Sequence, residues 1–181
     1  MSTAKELLST AVRRMKYYKD LGDKTFEQLN DRDFHYRPND ESNSVAILIQ
    51  HMAGNMLSRW TNFLEEDGEK EWRNRDAEFE TTELSKKELL KMWNKGWDCF
   101  LSALASLKKK DLKKKISIRN EKLTVVDAIN RQLAHYPYHI GQIIYIARII
   151  KNKGWKNLSV PKGGSHAFNN SDGPKDPAIK Y

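Results

Sequence analysis

The sequence predicts an all-α fold, a four-helix bundle with long connections and an irregular C-terminal tail. Apolar residues recur three or four positions apart in four long segments, and no segment alternates convincingly enough to indicate a sheet. The length of 181 residues suits one domain. We therefore expect a single domain over residues 1–181, with a core bundle from about 4 to 154 and a tail at 155–181.

The first two helices are predicted on either side of a turn-rich segment. Residues 4–29 carry apolar side chains three or four positions apart with charged residues between them. The second helix is expected to begin near Ser44, with Asn43 or Ser42 as its cap, and to run to about Leu64. Its apolar face consists of Val45, Leu48, Ile49, Met52, Met56, Trp60 and Phe63.

A long connection precedes the third helix. Residues 65–84, called the long loop below, lack sustained helical periodicity, and ordered loops of this length are often functional. Ser85 followed by Glu88 forms a capping-box pattern, which predicts a helix that begins there and ends near Leu107.

The fourth helix is predicted to be the central one. It follows the segment KISIRNEKLTV, whose alternation allows a short two-stranded excursion. Thr124 and Asp127 form a second capping-box pattern, and the helix is expected to continue to Gly154 as its C-terminal stop. Apolar residues surround nearly its whole circumference, so it should be buried. The tail after it is rich in turn formers.

The net charge of +8 raises the question of a nucleic-acid or membrane-surface partner. Much of that charge lies in the run KKKDLKKK, which has no aromatic residue for base stacking and no glycine-rich phosphate loop beside it. We interpret the lysine run as a solvated connector and expect no specific nucleic-acid binding. The alternative is an anion-binding surface, which would show strongly salt-dependent affinity.

The N-terminus and the cysteine content indicate a cytoplasmic protein. No segment resembles a secretory signal or reaches the length of a membrane span, so we expect no membrane partner. Cys99 stands alone, which excludes an intramolecular disulfide and a cysteine-rich zinc motif. Any bound metal must therefore be held by imidazole and oxygen.

Three histidines form a candidate metal site. His135 and His139 are four residues apart, so both project from one face of the fourth helix. His51, midway along the second helix, is the natural third ligand. Three histidines without a fourth protein ligand leave an open coordination position, as in catalytic zinc sites. The alternative is that they are hydrogen-bonded core residues, and His35 and His166 are expected to lie in surface loops.

The most specific segments support a family resemblance. The sequence SNSVAILIQHMAGNMLSRWTNFL, then DGEKEWRNRDAEF and LTVVDAINRQLAHYPYHIGQIIYIARI, resembles the DinB/YfiT-like superfamily of metal-binding four-helix bundles, in particular an uncharacterised bacillal branch. The resemblance implies a metal held by one histidine of the second helix and an HxxxH pair of the last core helix. These positions are His51, His135 and His139 here.

Two main functions follow from this resemblance. The first is a divalent-metal-dependent enzyme using zinc, nickel or manganese, either a hydrolase or a transferase of a low-molecular-weight thiol such as bacillithiol. The second is a non-catalytic metal-binding bundle that acts as a structural or stress-linked homodimer. For the enzyme, candidate supporting residues near the ligands and in the long loop are Asn55, Arg131, Gln142, Arg75, Asp76 and Glu78. The alternative for the three loop residues is surface salt bridging.

Overall fold

The computed structural model describes residues 2–181, and most of them are helical. The long helices are α1 (Thr3–Phe26), α3 (Val45–Trp60), α4 (Lys86–Ser106) and α5 (Val125–Lys151), and the short ones are α2 (Asp31–His35) and α6 (Ser165–Asn170). Strands β1 (Lys115–Ile118) and β2 (Glu121–Thr124) form an antiparallel hairpin before α5. The prediction of a mostly helical chain is confirmed.

The four long helices pack around one apolar core. Helix α3 contacts α4 and α5, and α1 contacts the same two helices from the other side. Aromatic rings fill the centre, where Trp93 packs edge-on against Phe26, and Tyr136 packs against Trp97 and Phe100. Each such side chain, fully buried, contributes roughly 1.5–3 kcal/mol through the hydrophobic effect. The core thus holds α3 and α5 rigidly enough to position side chains between them.

The helix starts follow their predicted caps with one correction. The cap of α3 is Ser44 itself, because its Oγ accepts the backbone N–H of Ile47 at 3.2 Å, so neither Asn43 nor Ser42 is needed. The capping box of α4 is complete: the Ser85 backbone N–H donates to Glu88 Oε2 at 2.9 Å, and the Ser85 Oγ accepts the Glu88 N–H at 3.4 Å.

The predicted end of α4 near Leu107 is confirmed, whereas the predicted ends of the other three long helices were too late. Helix α1 ends at Phe26 rather than at 29, and α3 ends at Trp60 rather than near Leu64. Helix α5 ends at Lys151, because Asn152 adopts a φ of +46° and turns the chain before Gly154 is reached. Asparagine tolerates such a conformation better than most residues, so Asn152 as well as Gly154 is able to end the helix.

The β-hairpin holds the long loop. Its tight turn places Arg119 and Asn120 at positive φ, and the Asp67 carboxylate accepts the backbone N–H groups of Arg119 at 2.8 Å and Asn120 at 2.9 Å, as well as the Ser117 hydroxyl. Burial alone would raise the pKa of the Asp67 carboxyl, but these hydrogen bonds outweigh it and hold that pKa well below its usual value. The loop is thus anchored near its N-terminal end.

Replacing Asp67 with asparagine is expected to lower the free energy of unfolding at pH 7 by about 1–3 kcal/mol. A depressed carboxyl pKa contributes stability that is fully present above the unfolded value of about 3.9 and is lost progressively as the pH falls from there through the folded value, which lies well below it. The difference between the parent and Asp67→Asn in urea unfolding should therefore be fully present at pH 7 and smaller, though not abolished, at pH 3. Asp98→Asn, exposed on α4, is the control. An equal difference at both pH values would contradict this account.

The lysine run and the tail are more ordered than predicted. A short 3₁₀ helix covers Lys109–Lys113 with Asp111 and Leu112 buried, while the lysines of the run remain exposed. The tail is not wholly irregular, since it contains α6 and returns to α1 through an ion pair between Asp176 and Arg14 at 2.6 Å. None of the helices in residues 2–181 combines the length and apolar character that a membrane span requires.

Candidate metal centre

Three imidazoles from two helices converge at one point between α3 and α5. The Nε2 of His135 lies 3.4 Å from the Nε2 of His51 and 3.0 Å from the Nε2 of His139. The potential ligand atoms of the three residues all lie within 4.8 Å of one another. His51 and His139 are buried, and His135 is partly buried. The predicted spacing on α5 thus brings two rings to one face, and α3 supplies the third.

The opposite nitrogen of every ring is held by a side-chain oxygen. The three hydrogen bonds run from His51 Nδ1 to Glu78 Oε2 at 3.0 Å, from His135 Nδ1 to Gln132 Oε1 at 3.3 Å, and from His139 Nδ1 to Gln142 Oε1 at 2.7 Å. An acceptor at Nδ1 fixes the proton there, which leaves each Nε2 with a free lone pair. This is the outer-shell arrangement typical of metal-ligating histidines.

The spacing of the three Nε2 atoms fits a divalent ion. Two nitrogens bound to tetrahedral zinc at ~2.0–2.1 Å lie about 3.3 Å apart, close to the observed 3.0 and 3.4 Å. Three lone pairs that face one another also repel, and a cation between them removes that repulsion. An all-imidazole donor set suits zinc, nickel and copper better than magnesium or calcium.

The surroundings keep two of these imidazoles neutral. Burial, together with the adjacent His139 and His51 and two nearby arginines, lowers the pKa of His135 to about 3. Burial also lowers the pKa of His139, although its hydrogen bond to Gln142 opposes this. Because a metal binds only the neutral ring, both residues are available as ligands at neutral pH.

The Glu78 carboxylate, which holds the His51 ring, is itself held by Arg73. Arg73 donates to it twice, from Nε to Oε1 at 2.7 Å and from Nη2 to Oε2 at 2.8 Å. Burial alone would raise the pKa of the Glu78 carboxyl, but the hydrogen bonds from Arg73 and His51 outweigh it and hold that pKa below its usual value. The carboxylate is therefore ionised, and its charge is balanced by a guanidinium whose side chain is only 1% exposed.

Gly54 makes room for this carboxylate. A Cβ at this position of α3 would lie 2.1 Å from Glu78 Oε1, well inside contact distance. Since Arg73 and His51 both hold the carboxylate, it has little freedom to move aside. The glycine is thus part of the site, although it offers no ligand.

The comparison with protein families covers the same residues. Residues 2–164 match the family described as "Protein of unknown function (DUF1572)". The chain belongs to this family. The matched range includes the three histidines of the DUF1572 chain and the oxygens that hold them. No curated protein matches the chain.

Two of the six candidate supporting residues contact the histidines of this DUF1572 protein. Glu78 holds His51 and Gln142 holds His139. Asn55 instead accepts the hydroxyl of Tyr136 at 3.1 Å, within a buried chain that continues to the Trp60 indole. The side chains that remain exposed, and form no hydrogen bond to a histidine, are Arg131, Arg75 and Asp76. Arg75 covers the Phe79 ring, which in turn packs on His51.

Sequence reasoning missed three residues of the DUF1572 site: Gln132, Arg73 and Gly54. Gln132 lies three positions before His135, just as Gln142 lies three positions after His139, so the symmetry of the pattern could have revealed it. Arg73 gave no such signal, because a basic residue in a polar loop is usually exposed. His35 and His166 are exposed, as predicted, but they lie in the short helices α2 and α6 rather than in loops.

Proposed function

We propose that this chain is a metal-dependent transferase of a low-molecular-weight thiol, built on a four-helix bundle of DinB/YfiT type. The observation that carries the proposal is the convergence of three anchored imidazoles with no fourth protein ligand among residues 2–181. A site of that composition has an open coordination position, which a substrate can occupy. Zinc and nickel suit the three imidazoles better than manganese, which prefers carboxylate ligands.

The charges around the site favour an anionic ligand at the open position. Histidines bind a metal as uncharged imidazoles, so three of them leave the double charge of an ion uncompensated, and the charge of Glu78 is already balanced by Arg73. A divalent ion, when bound, supplies a Lewis acid that lowers the pKa of a coordinated thiol or water towards neutrality. In the transfer, the thiol gives its proton to solvent and its sulfur bonds to the acceptor carbon. The leaving group departs with the electrons of the broken bond.

The absence of a free base favours thiol transfer over hydrolysis. Within residues 2–181, the carboxylate that contacts the histidines is Glu78, and both of its oxygens already accept hydrogen bonds. Hydrolysis of an ester or amide usually requires an acid–base residue that protonates the leaving group, even where the ion lowers the pKa of the attacking water. A thiol that loses its proton on coordination and displaces a good leaving group needs no such residue. Hydrolysis is accordingly the second reaction to test.

The non-catalytic dimer is the alternative function, and the surface of α5 favours it. Tyr138, Tyr145 and Ile149 are exposed large apolar side chains on this helix. With Ala134 they are arranged symmetrically about residues 141 and 142, so an antiparallel contact with a second copy would place Tyr138 against the partner's equivalent of Tyr145. In that case the ion would serve to tie α3 to α5.

The test of the proposed activity is turnover by protein reconstituted with zinc, nickel or manganese. We expect transfer of a bacillithiol-like thiol to an electrophile, abolished by a chelator and restored by the ion. Ester, amide and phosphoester hydrolysis are measured beside it. If the loaded protein is inert in every assay and removal of the metal dissociates the assembly, the dimeric module is the better account.

A further inference from the structure

A cavity of about 430 Å³ shares the Gln142 side chain with the candidate metal centre. Its floor includes Leu48 on α3 and Gln142 on α5. Leu48 is three residues before His51, and Gln142 is three residues after His139, so on both helices a cavity-lining residue lies about 4.5 Å along the helix axis from a histidine. Its volume lies within the range of small-molecule sites.

Gln142 is shared by the cavity and the metal centre. Its Oε1 accepts the Nδ1–H of His139 at 2.7 Å, and the same side chain forms part of the cavity wall. This leaves the amide nitrogen available to donate to an occupant. A molecule in the cavity would therefore contact a residue that orients a metal ligand.

The cavity wall has apolar and polar sides. The apolar side consists of Pro38, Leu48, Tyr145, Ile146 and Ile149. The polar side is the segment between α2 and α3, where Asn39 holds the loop in shape by accepting the Ser42 hydroxyl at 2.9 Å.

The charge of the wall restricts the occupant. No lysine or arginine lines the cavity, and the charged residue that does is Glu41. Arg37 lies nearby but donates to the Ser42 carbonyl and is not part of the wall. A carboxylate or phosphate would face Glu41 without a basic partner, whereas an uncharged or amine-bearing molecule would not.

We infer that this cavity binds the acceptor substrate, an uncharged or amine-bearing amphipathic molecule whose reactive end reaches the metal centre past Gln142. That the occupant is the acceptor of the thiol rests on the proposed function. The existence of the binding site and its charge preference rest on the cavity alone. The thiol, if it carries carboxylates, binds elsewhere.

The test is binding of three probes of equal shape and different charge: benzamide, benzylamine and benzoate. The isoleucine methyl groups are labelled, and the signals of Ile146 and Ile149 are followed by NMR during titration of the full chain. We expect benzamide and benzylamine to shift these signals and benzoate to bind at least about tenfold more weakly. Equal binding of all three, or shifts elsewhere only, would overturn the inference.

A matched pair of variants locates the site. Ile149→Trp fills the cavity, and Ile179→Trp is the control, since the two isoleucines are 42% and 50% exposed. Ile149→Trp should abolish benzamide binding, whereas Ile179→Trp should not. If the protein catalyses the transfer, Ile149→Trp should also raise KM for an uncharged acceptor while kcat stays constant. Benzamide binding without any turnover would sink the proposed activity and leave the site standing. Turnover whose KM is unchanged in Ile149→Trp would rule out this cavity as the acceptor site and leave the proposed activity standing.

Discussion

His135→Ala is expected to lower the affinity for the divalent ion by more than about 100-fold, the upper end of what loss of a single outer-shell partner costs. The variant removes one of three converging nitrogens, the one that lies within 3.4 Å of both others. The fold should persist, because the core between the long helices is built of apolar and aromatic side chains that pack against one another without a metal ligand among them. Isothermal titration with zinc measures the affinity, and circular dichroism and light scattering measure fold and assembly.

His139→Ala should behave in the same way, and His166→Ala is the control because that histidine is exposed in the tail. All three variants lose one imidazole, so nonspecific binding of zinc to histidine would affect them equally. A control that loses as much affinity as His135→Ala would reject the site. Melting or dissociation of His135→Ala with no metal present would show that the histidines serve the fold.

Gly54→Ala is expected to lower metal affinity by about 10–100-fold and, because it displaces a carboxylate that pairs with the buried Arg73, to lower the free energy of unfolding as well. The new methyl group would occupy the position of Glu78 Oε1, so the carboxylate must leave His51. Alanine is favoured over glycine inside a helix by roughly 0.5–1 kcal/mol, so a general weakening of α3 would not explain the loss.

Gly141→Ala is the matched control for this variant. Gly141 also lies within a helix, but a Cβ there meets nothing within 4 Å. We expect equal or higher stability and unchanged metal affinity, measured by thermal unfolding and zinc titration. If the two alanine variants bind zinc equally well, Glu78 does not orient His51 in the way described.

The long elements could be predicted from the sequence because their signals are local. Periodicity and caps identified all four long helices, and Ser85 with Glu88 predicted the start of α4 to the residue. The helix ends were less accurate, since Asn62 and Asn152 adopt positive φ values that an asparagine permits but does not require. The sequence allowed the hairpin without requiring it, because two strands of four residues each give only a short alternating pattern.

The part of the site that lies within one helix, the pair of histidines on α5, could be predicted from the sequence. The spacing of His135 and His139 requires only that α5 be helical, whereas the role of His51 depends on how α3 packs against α5. The fixation of Glu78 by Arg73 could not be read from the sequence, because it depends on the path of the long loop. The role of Gly54 could not be predicted either, because it depends on Glu78 of the long loop lying over α3 at that position.

The central claim is that one divalent ion binds His51, His135 and His139 through Nε2. The most direct measurement is elemental analysis of protein purified without an affinity tag, followed by X-ray absorption spectroscopy of the bound ion. We predict about one ion per chain with three imidazole nitrogens at ~2.0–2.1 Å for zinc, and a further light-atom ligand at the open position. A chain that binds no ion, or an ion whose spectrum is unchanged in His135→Ala, would contradict the claim.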